Sequence, residues 1–146
     1  MGQQSQFLFS HRVEQFIADL FATWNAHDIE RMMTFYAHDY EGTDVSQAQP
    51  QQGTDGVRAM FERIVRGFPD VQFTLDQTVV QDSQIVLVWT ARGTHQGHIM
   101  NIPPTGRTVA ARGVSVLTIH DGKITKGLYI WDVAAIIRGI GLLPEL

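Results

Sequence analysis

Between residues 11 and 24, apolar side chains recur at alternating steps of three and one: Val13, Phe16, Ile17, Leu20, Phe21 and Trp24. That spacing draws one continuous stripe down a helix, and such a stripe needs a partner surface to bury it. Ser10 is placed to cap its start. Asp28 can cap a second, shorter helix carrying Ile29, Met32, Met33 and Tyr36. A third helix is predicted from about Asp55 to Arg66, with Val57, Met60, Phe61, Ile64 and Val65 on one side. Thr54 can cap it, and Gly67 and Pro69 end it.

The pattern then changes. Phe73 to Val80, Ile85 to Gly93, Thr108 to Ile119 and Lys123 to Trp131 are rich in Val, Ile, Thr and aromatic residues. Asp82-Ser83 and Asp121-Gly122 separate them by short turns, and Asp-Gly between β-type runs is a strong hairpin signal. The loop from Gly97 to Gly106 contains Pro103 and Pro104, which have no N–H to give to a ladder. Val133 to Ile140 reads as a short terminal helix, followed by Gly141 and Pro144. Helices first and antiparallel strands afterwards predict one α+β domain with the helices on one face of the sheet. Gln47 to Gln52 is a polar loop, and residues 1–9 are expected to lie outside the ordered part.

Length and composition narrow the function. A chain of 146 residues with 44% hydrophobic content is one domain, long enough to bury about two thirds of its unfolded surface. The net charge of -4 and scattered Lys and Arg argue against a nucleic-acid surface, which needs a basic stripe. With no cysteine, disulfides, thiolate zinc sites and cysteine nucleophiles are excluded. No apolar run approaches the roughly 18 residues of a membrane span, and the amino-terminal segment lacks a signal-peptide pattern. Cytoplasm is the expected location.

Several short blocks, taken in order, resemble a known family. They are Gly93-Thr94-His95-Gln96-Gly97, Ile102-Pro103-Pro104-Thr105-Gly106-Arg107, Asp121-Gly122-Lys123-Ile124, Trp131-Asp132 and Gly141-Leu142-Leu143-Pro144. Trp24-Asn25-Ala26-His27-Asp28 and Phe68-Pro69-Asp70 fit the same pattern upstream. Together they resemble the SnoaL-like polyketide or ester cyclase family, within the nuclear transport factor 2-like superfamily. The resemblance implies a cone-shaped α+β barrel, with a curved, mostly antiparallel sheet on N-terminal helices and a short C-terminal helix. It implies a deep pocket for a small-molecule substrate, homodimers or higher homo-oligomers, and no metal or organic cofactor. It also implies an aspartate acid/base at Asp132. Two positions depart from the family pattern: Thr43 stands nearest a customary histidine, and Val88 stands where an arginine is common. Both make the pocket less charged than the pattern.

The residues themselves support two readings of Asp132. At a strand-to-helix junction it is a natural N-cap. The resemblance makes it the base that removes a proton α to a carbonyl and returns one to the new alkoxide. His95, at a strand end before a Gly-rich turn, can shuttle a proton or bind backbone carbonyls in the turn. His95 and His98 are too few and too far apart in strand phase for a metal site. Arg92 and Arg112 lie in predicted strands, either facing solvent or paired with Asp132, Asp76 or Glu41 and available to an anionic substrate. Tyr36, Tyr40, Trp89, Trp131 and Thr43 complete the substrate-binding candidates, with Tyr40 at a strand start. Trp24 belongs to the core stripe.

Other motifs fail. Asn101 to Thr108 lacks the glycine and N–H donors of a phosphate loop, and there is no Gly-x-Ser-x-Gly elbow. An Asp–Arg–Asp epoxide hydrolase set lacks its second Asp, since Thr94 stands there. The reading that results is a cofactor-independent cyclase or isomerase. The alternatives are a water-activating enzyme on the same scaffold, a non-catalytic binding protein and an assembly domain.

Overall fold

In the computed structural model, which describes the backbone of residues 2–144 and the side chains of 11–144, six strands form one curved sheet. The chain runs α1 (Gly2–Asn25), α2 (Ile29–Met33), β1 (Tyr36–Asp44), β2 (Gln51–Gln52), α3 (Gly53–Gly67), β3 (Gln72–Gln81), β4 (Gln84–Thr94), β5 (Thr108–His120), β6 (Lys123–Trp131) and α4 (Val133–Gly139). The strand order is β2-β1-β6-β5-β4-β3. All pairings are antiparallel except β1 with β6. Register shifts with extra residues in β1, β3 and β6 mark bulges, which bend and twist a sheet into a curved wall.

The predicted stripe on α1 packs as expected: Ile17, Leu20, Phe21 and Trp24 are buried. The helix is longer than the stripe and begins at Gly2, so Ser10 lies inside it and does not cap it. Asp28 does cap α2, accepting the Arg31 N–H at 3.1 Å. The expected cap at Thr54 is also corrected. The short strand β2 hands the chain directly into α3, Gly53 turns the corner at φ +61°, and Gln52 takes the cap position without a side-chain bond. Both predicted turns form. Asp121 and Gly122 take φ of 50° and 74°, the left-handed pair that matches strand twist in a tight hairpin.

Register assigns the two sheet faces. Ile85, Leu87 and Trp89 of β4 alternate onto the inner face with Leu117, Ser115 and Gly113 of β5. The even positions of β4 point outward. The inner face, α1, α3 and α4 together enclose the core. Among the described residues no helix is long and apolar enough to cross a membrane.

Candidate active site

The core is not filled. A cavity of about 450 Å³ lies between the inner sheet face, α3 and the loop after β4. Its volume falls in the range of small-molecule sites. Its interior is mainly aromatic and aliphatic, with Trp24, Phe61, Phe68, Phe73, Trp89 and Val109 all buried in the wall. Trp89 lies flat over Gly113, where any Cβ would meet its ring, and its Nε1 donates to Ser115 Oγ at 2.9 Å.

One buried carboxylate enters this wall, Asp44, only 5% exposed. It ends β1 opposite Tyr129 of β6 in the parallel register. Three donors hold it: Ser46 N–H at 2.9 Å, Ser46 Oγ at 2.6 Å and Trp131 Nε1 at 2.9 Å. All three reach Oδ1, and among the described residues none reaches Oδ2. The first two form an Asx turn that fixes the carboxylate to its own backbone.

Tyr129 lines the cavity beside Asp44 and is 4% exposed. Its hydroxyl lies 2.6 Å from that of Tyr36, where either oxygen can donate. Tyr40 packs edge-on against Tyr36, with ring centroids 5.0 Å apart, and donates to Gln51 Oε1 at 2.8 Å. These are all three tyrosines of the chain. Gly42 and Gly127, register partners on β1 and β6, make room for the Tyr40 ring; a Cβ at either would run into its hydroxyl. Burial pushes Tyr36 up to about 12. Burial, then the neighbouring phenols, push Tyr129 well above the ordinary value. Tyr40 is raised too, by burial first and then by Tyr36. Tyr129 is therefore a hydrogen-bond donor that stays protonated at neutral pH.

The loop after β4 forms the other side of the cavity. His95 N–H donates to Arg107 O at 2.8 Å, and Gly106 N–H to His95 O at 2.9 Å. Ile99 pairs with Ile102 around Met100 and Asn101, both at positive φ. Gly97 sits on the end of α3, where a Cβ would collide with the Arg66 carbonyl, and the Gln96 and Gly97 N–H groups donate to Gly67 O. His98, Ile99, Met100 and Asn101 line the cavity from this loop.

The sequence candidates divide by strand parity. Trp89 and Trp131 line the cavity. Arg92 borders it between Ala91 and Gly93, but parity turns its side chain to the outer face. Arg112, paired with Thr90, and Thr43, paired with Leu128, are exposed and outside the wall. Among the described residues neither Arg92 nor Arg112 has a carboxylate partner, which leaves the solvent-facing reading; Asp76 accepts the Thr90 hydroxyl at 2.6 Å. Tyr36 and Tyr40 lie behind the wall and support Tyr129.

Asp132 is not brought into the cavity. It is exposed, and its carboxylate accepts the Ala135 N–H at 2.9 Å, which gives it the capping role on α4. His95 is fully buried but also outside the wall. Its Nδ1 accepts the Thr105 N–H at 3.2 Å and lies 3.0 Å from Thr105 Oγ1, so it pins the loop. Its Nε2 is buried without a partner among the described residues. The Asp–Arg–Asp set is not assembled either, because Thr94 is bound to Asp70 by two bonds of 2.7 Å. Among the described residues no group of three His, Asp or Glu is placed to hold a metal.

Asp44 carries no signal of its own in the sequence: it adjoins Thr43, and the one-residue difference in strand phase decides which of the two faces inward.

The sequence pattern of the SnoaL-like polyketide cyclase family matches residues 11–140, and the chain belongs to that family. No curated protein matches it. Among solved structures it is similar to AclR from Streptomyces galilaeus, with 22% identity, a TM-score of 0.82, and 94% of this chain and 89% of that one covered. It is similar to TsrD from Streptomyces laurentii, with 26% identity, a TM-score of 0.80, and 91% and 97% covered. A protein of ketosteroid isomerase-like fold from Catenulispora acidiphila, in complex with trimethylamine, shares 14% identity at a TM-score of 0.75 over 88% and 93%. The fold is thus the cone-shaped α+β barrel of nuclear transport factor 2-like proteins, and the family supports a cyclase-type function on a small molecule.

Proposed function

We propose that the chain is a cofactor-independent cyclase or isomerase, with Asp44 rather than Asp132 as its acid/base. One observation carries this reading: Asp44 and Tyr129, register partners on adjacent strands, both enter a mainly apolar cavity. Asp44 Oδ2 removes a proton from the carbon α to a carbonyl. The Tyr129 hydroxyl, receiving a hydrogen bond from Tyr36, donates to the enolate oxygen as charge develops there. In a cyclisation the enolate carbon bonds to a second carbonyl of the same molecule, and the proton held on Asp44 passes to the new alkoxide. In an isomerisation it returns to another carbon. The aromatic walls hold the substrate near its reacting shape, which removes entropic cost.

The test uses 2-tetralone, a flat ketone with acidic α-hydrogens. The protein is expected to speed exchange of those hydrogens for deuterium in heavy water, followed by NMR. Asp44→Asn should lose the acceleration while keeping the fold. Equal exchange by both proteins would overturn the role of Asp44, and no acceleration by the native chain would overturn the reaction class.

The protein is also proposed to self-associate through the outer sheet face. Register places Val79, Val86, Val116 and Leu128 in one row, and Val88, Val114 and Ile130 in the next. These side chains are exposed or half-buried. A two-fold pairing of such a patch is self-complementary. Sedimentation equilibrium should give a dimer or larger species, and Val88→Lys should shift it toward monomer.

A further inference from the structure

The cavity has a buried interior and an exposed rim, and the two differ in charge. Among the described residues Asp44 is the only acidic one in the wall. The exposed lining residues include Arg63 and Arg66 on α3 together with His98 and Asn101 of the loop after β4. Arg63 and Arg66 are three apart, so they share one side of the helix end. Neither has an ion pair or a side-chain hydrogen bond among the described residues. This stands out in a chain of net charge -4, where Arg58 on the same helix is held by Glu30 at 2.7 Å. The loop is docked on the end of α3 through the Gly67 carbonyl, so both sides of the rim are fixed relative to each other.

We propose that the substrate is an organic acid: a flat apolar body that fills the cavity, carrying a carboxylate bound at the rim by Arg63 and Arg66. Guanidinium forks match a carboxylate geometrically, and His98 and Asn101 add donors from the opposite side. The acidic head also orients the molecule, because a carboxylate held at the rim cannot turn inward toward Asp44. This deepens the reading above and rests on the cavity being the substrate site.

Calorimetric titration with 2-naphthoate and its uncharged counterpart 2-naphthamide tests the inference without any turnover. The native protein should bind the acid roughly tenfold or more tightly than the amide, and less so as salt is raised. Arg63→Gln combined with Arg66→Gln should remove that preference and leave amide binding unchanged. Equal binding of acid and amide by the native protein, or a double variant that weakens both alike, would overturn the anionic substrate and leave the cyclase reading standing. Binding of neither probe would overturn both.

Discussion

Trp131 donates its indole N–H to Asp44 Oδ1 at 2.9 Å, joining the end of the last strand to the end of the first. The bond does two things. It holds the one carboxylate that the described residues bring to the cavity wall, and it leaves the second oxygen of that carboxylate without a protein donor among the described residues.

Asp44→Asn keeps an oxygen for Ser46 and Trp131 but removes the base. Turnover should fall by about 10²-fold or more, the usual contribution of a positioned acid/base. Circular dichroism should be unchanged. A variant that unfolds would mark the residue as structural only.

Tyr36→Phe removes the hydroxyl that shares a 2.6 Å hydrogen bond with Tyr129. Stability should drop by about 1 kcal/mol, the worth of a buried hydrogen bond. The turnover number should fall more than substrate affinity, because the Tyr129 hydrogen bond matters most once charge has moved to the carbonyl oxygen. Steady-state kinetics beside thermal unfolding separates the two effects.

The tyrosine cluster also sets the alkaline limit of the fold. Folded Tyr36 ionises at about 12, and Tyr40 and Tyr129 are raised with it. An unfolded tyrosine ionises at about 10. Above that pH the unfolded chain has released protons that the folded chain keeps. The stabilisation is therefore complete below pH of about 10 and declines as pH rises toward the folded values. Tyrosinate absorbance should appear together with the loss of circular dichroism. A gradual titration near pH 10 in a chain that stays folded would contradict the buried network.

Asp132→Ala should cost about 1 kcal/mol through loss of the cap on α4, and Asp132→Asn much less. Neither should change the rate of deuterium exchange beyond what stability explains. A large loss of rate in a folded Asp132→Asn protein would return the acid/base role to that residue.

His95→Ala should loosen the loop after β4 by removing the anchor for Thr105. Hydrogen exchange of the amides from His98 to Gly106 should quicken, while the amides of β6 stay protected. Equal protection in the variant would show that Gly67 alone holds the loop.

The helices and hairpins were legible because their signals are local. The stripe from Val13 to Trp24 repeats with the helical period, and Asp121-Gly122 has the backbone freedom its turn demands. Cap residues were less reliable: Ser10 failed because α1 runs past it, and Thr54 failed because β2 leads straight into α3. The first strand, Tyr-Ala-His-Asp-Tyr-Glu-Gly-Thr-Asp, carries few apolar residues, and its parallel partner lies far along the chain. Nothing nearby in sequence sets its phase. Thr43 and Asp44 therefore could not be told apart until register with Leu128 and Tyr129 was known. For Arg92 and Arg112, too, strand phase decides between the two readings, and both side chains are exposed. Asp132 showed both a local cap signal and a family signal, and the geometry follows the local one.

The parallel seam between β1 and β6 has a consequence for how the protein is made. The bonds across the site join residues 87 and 93 positions apart. Closing such long loops is slow, and nothing local can substitute for it. While the chain is being synthesised, the inner edge of β1 must wait, its carboxylate and phenols still in water, until the last strand emerges. The proposed site and the completed sheet arrive in one event. A chain cut before β6 lacks Tyr129 and Trp131 and so cannot assemble the proposed site, whose formation therefore reports that the sheet is complete.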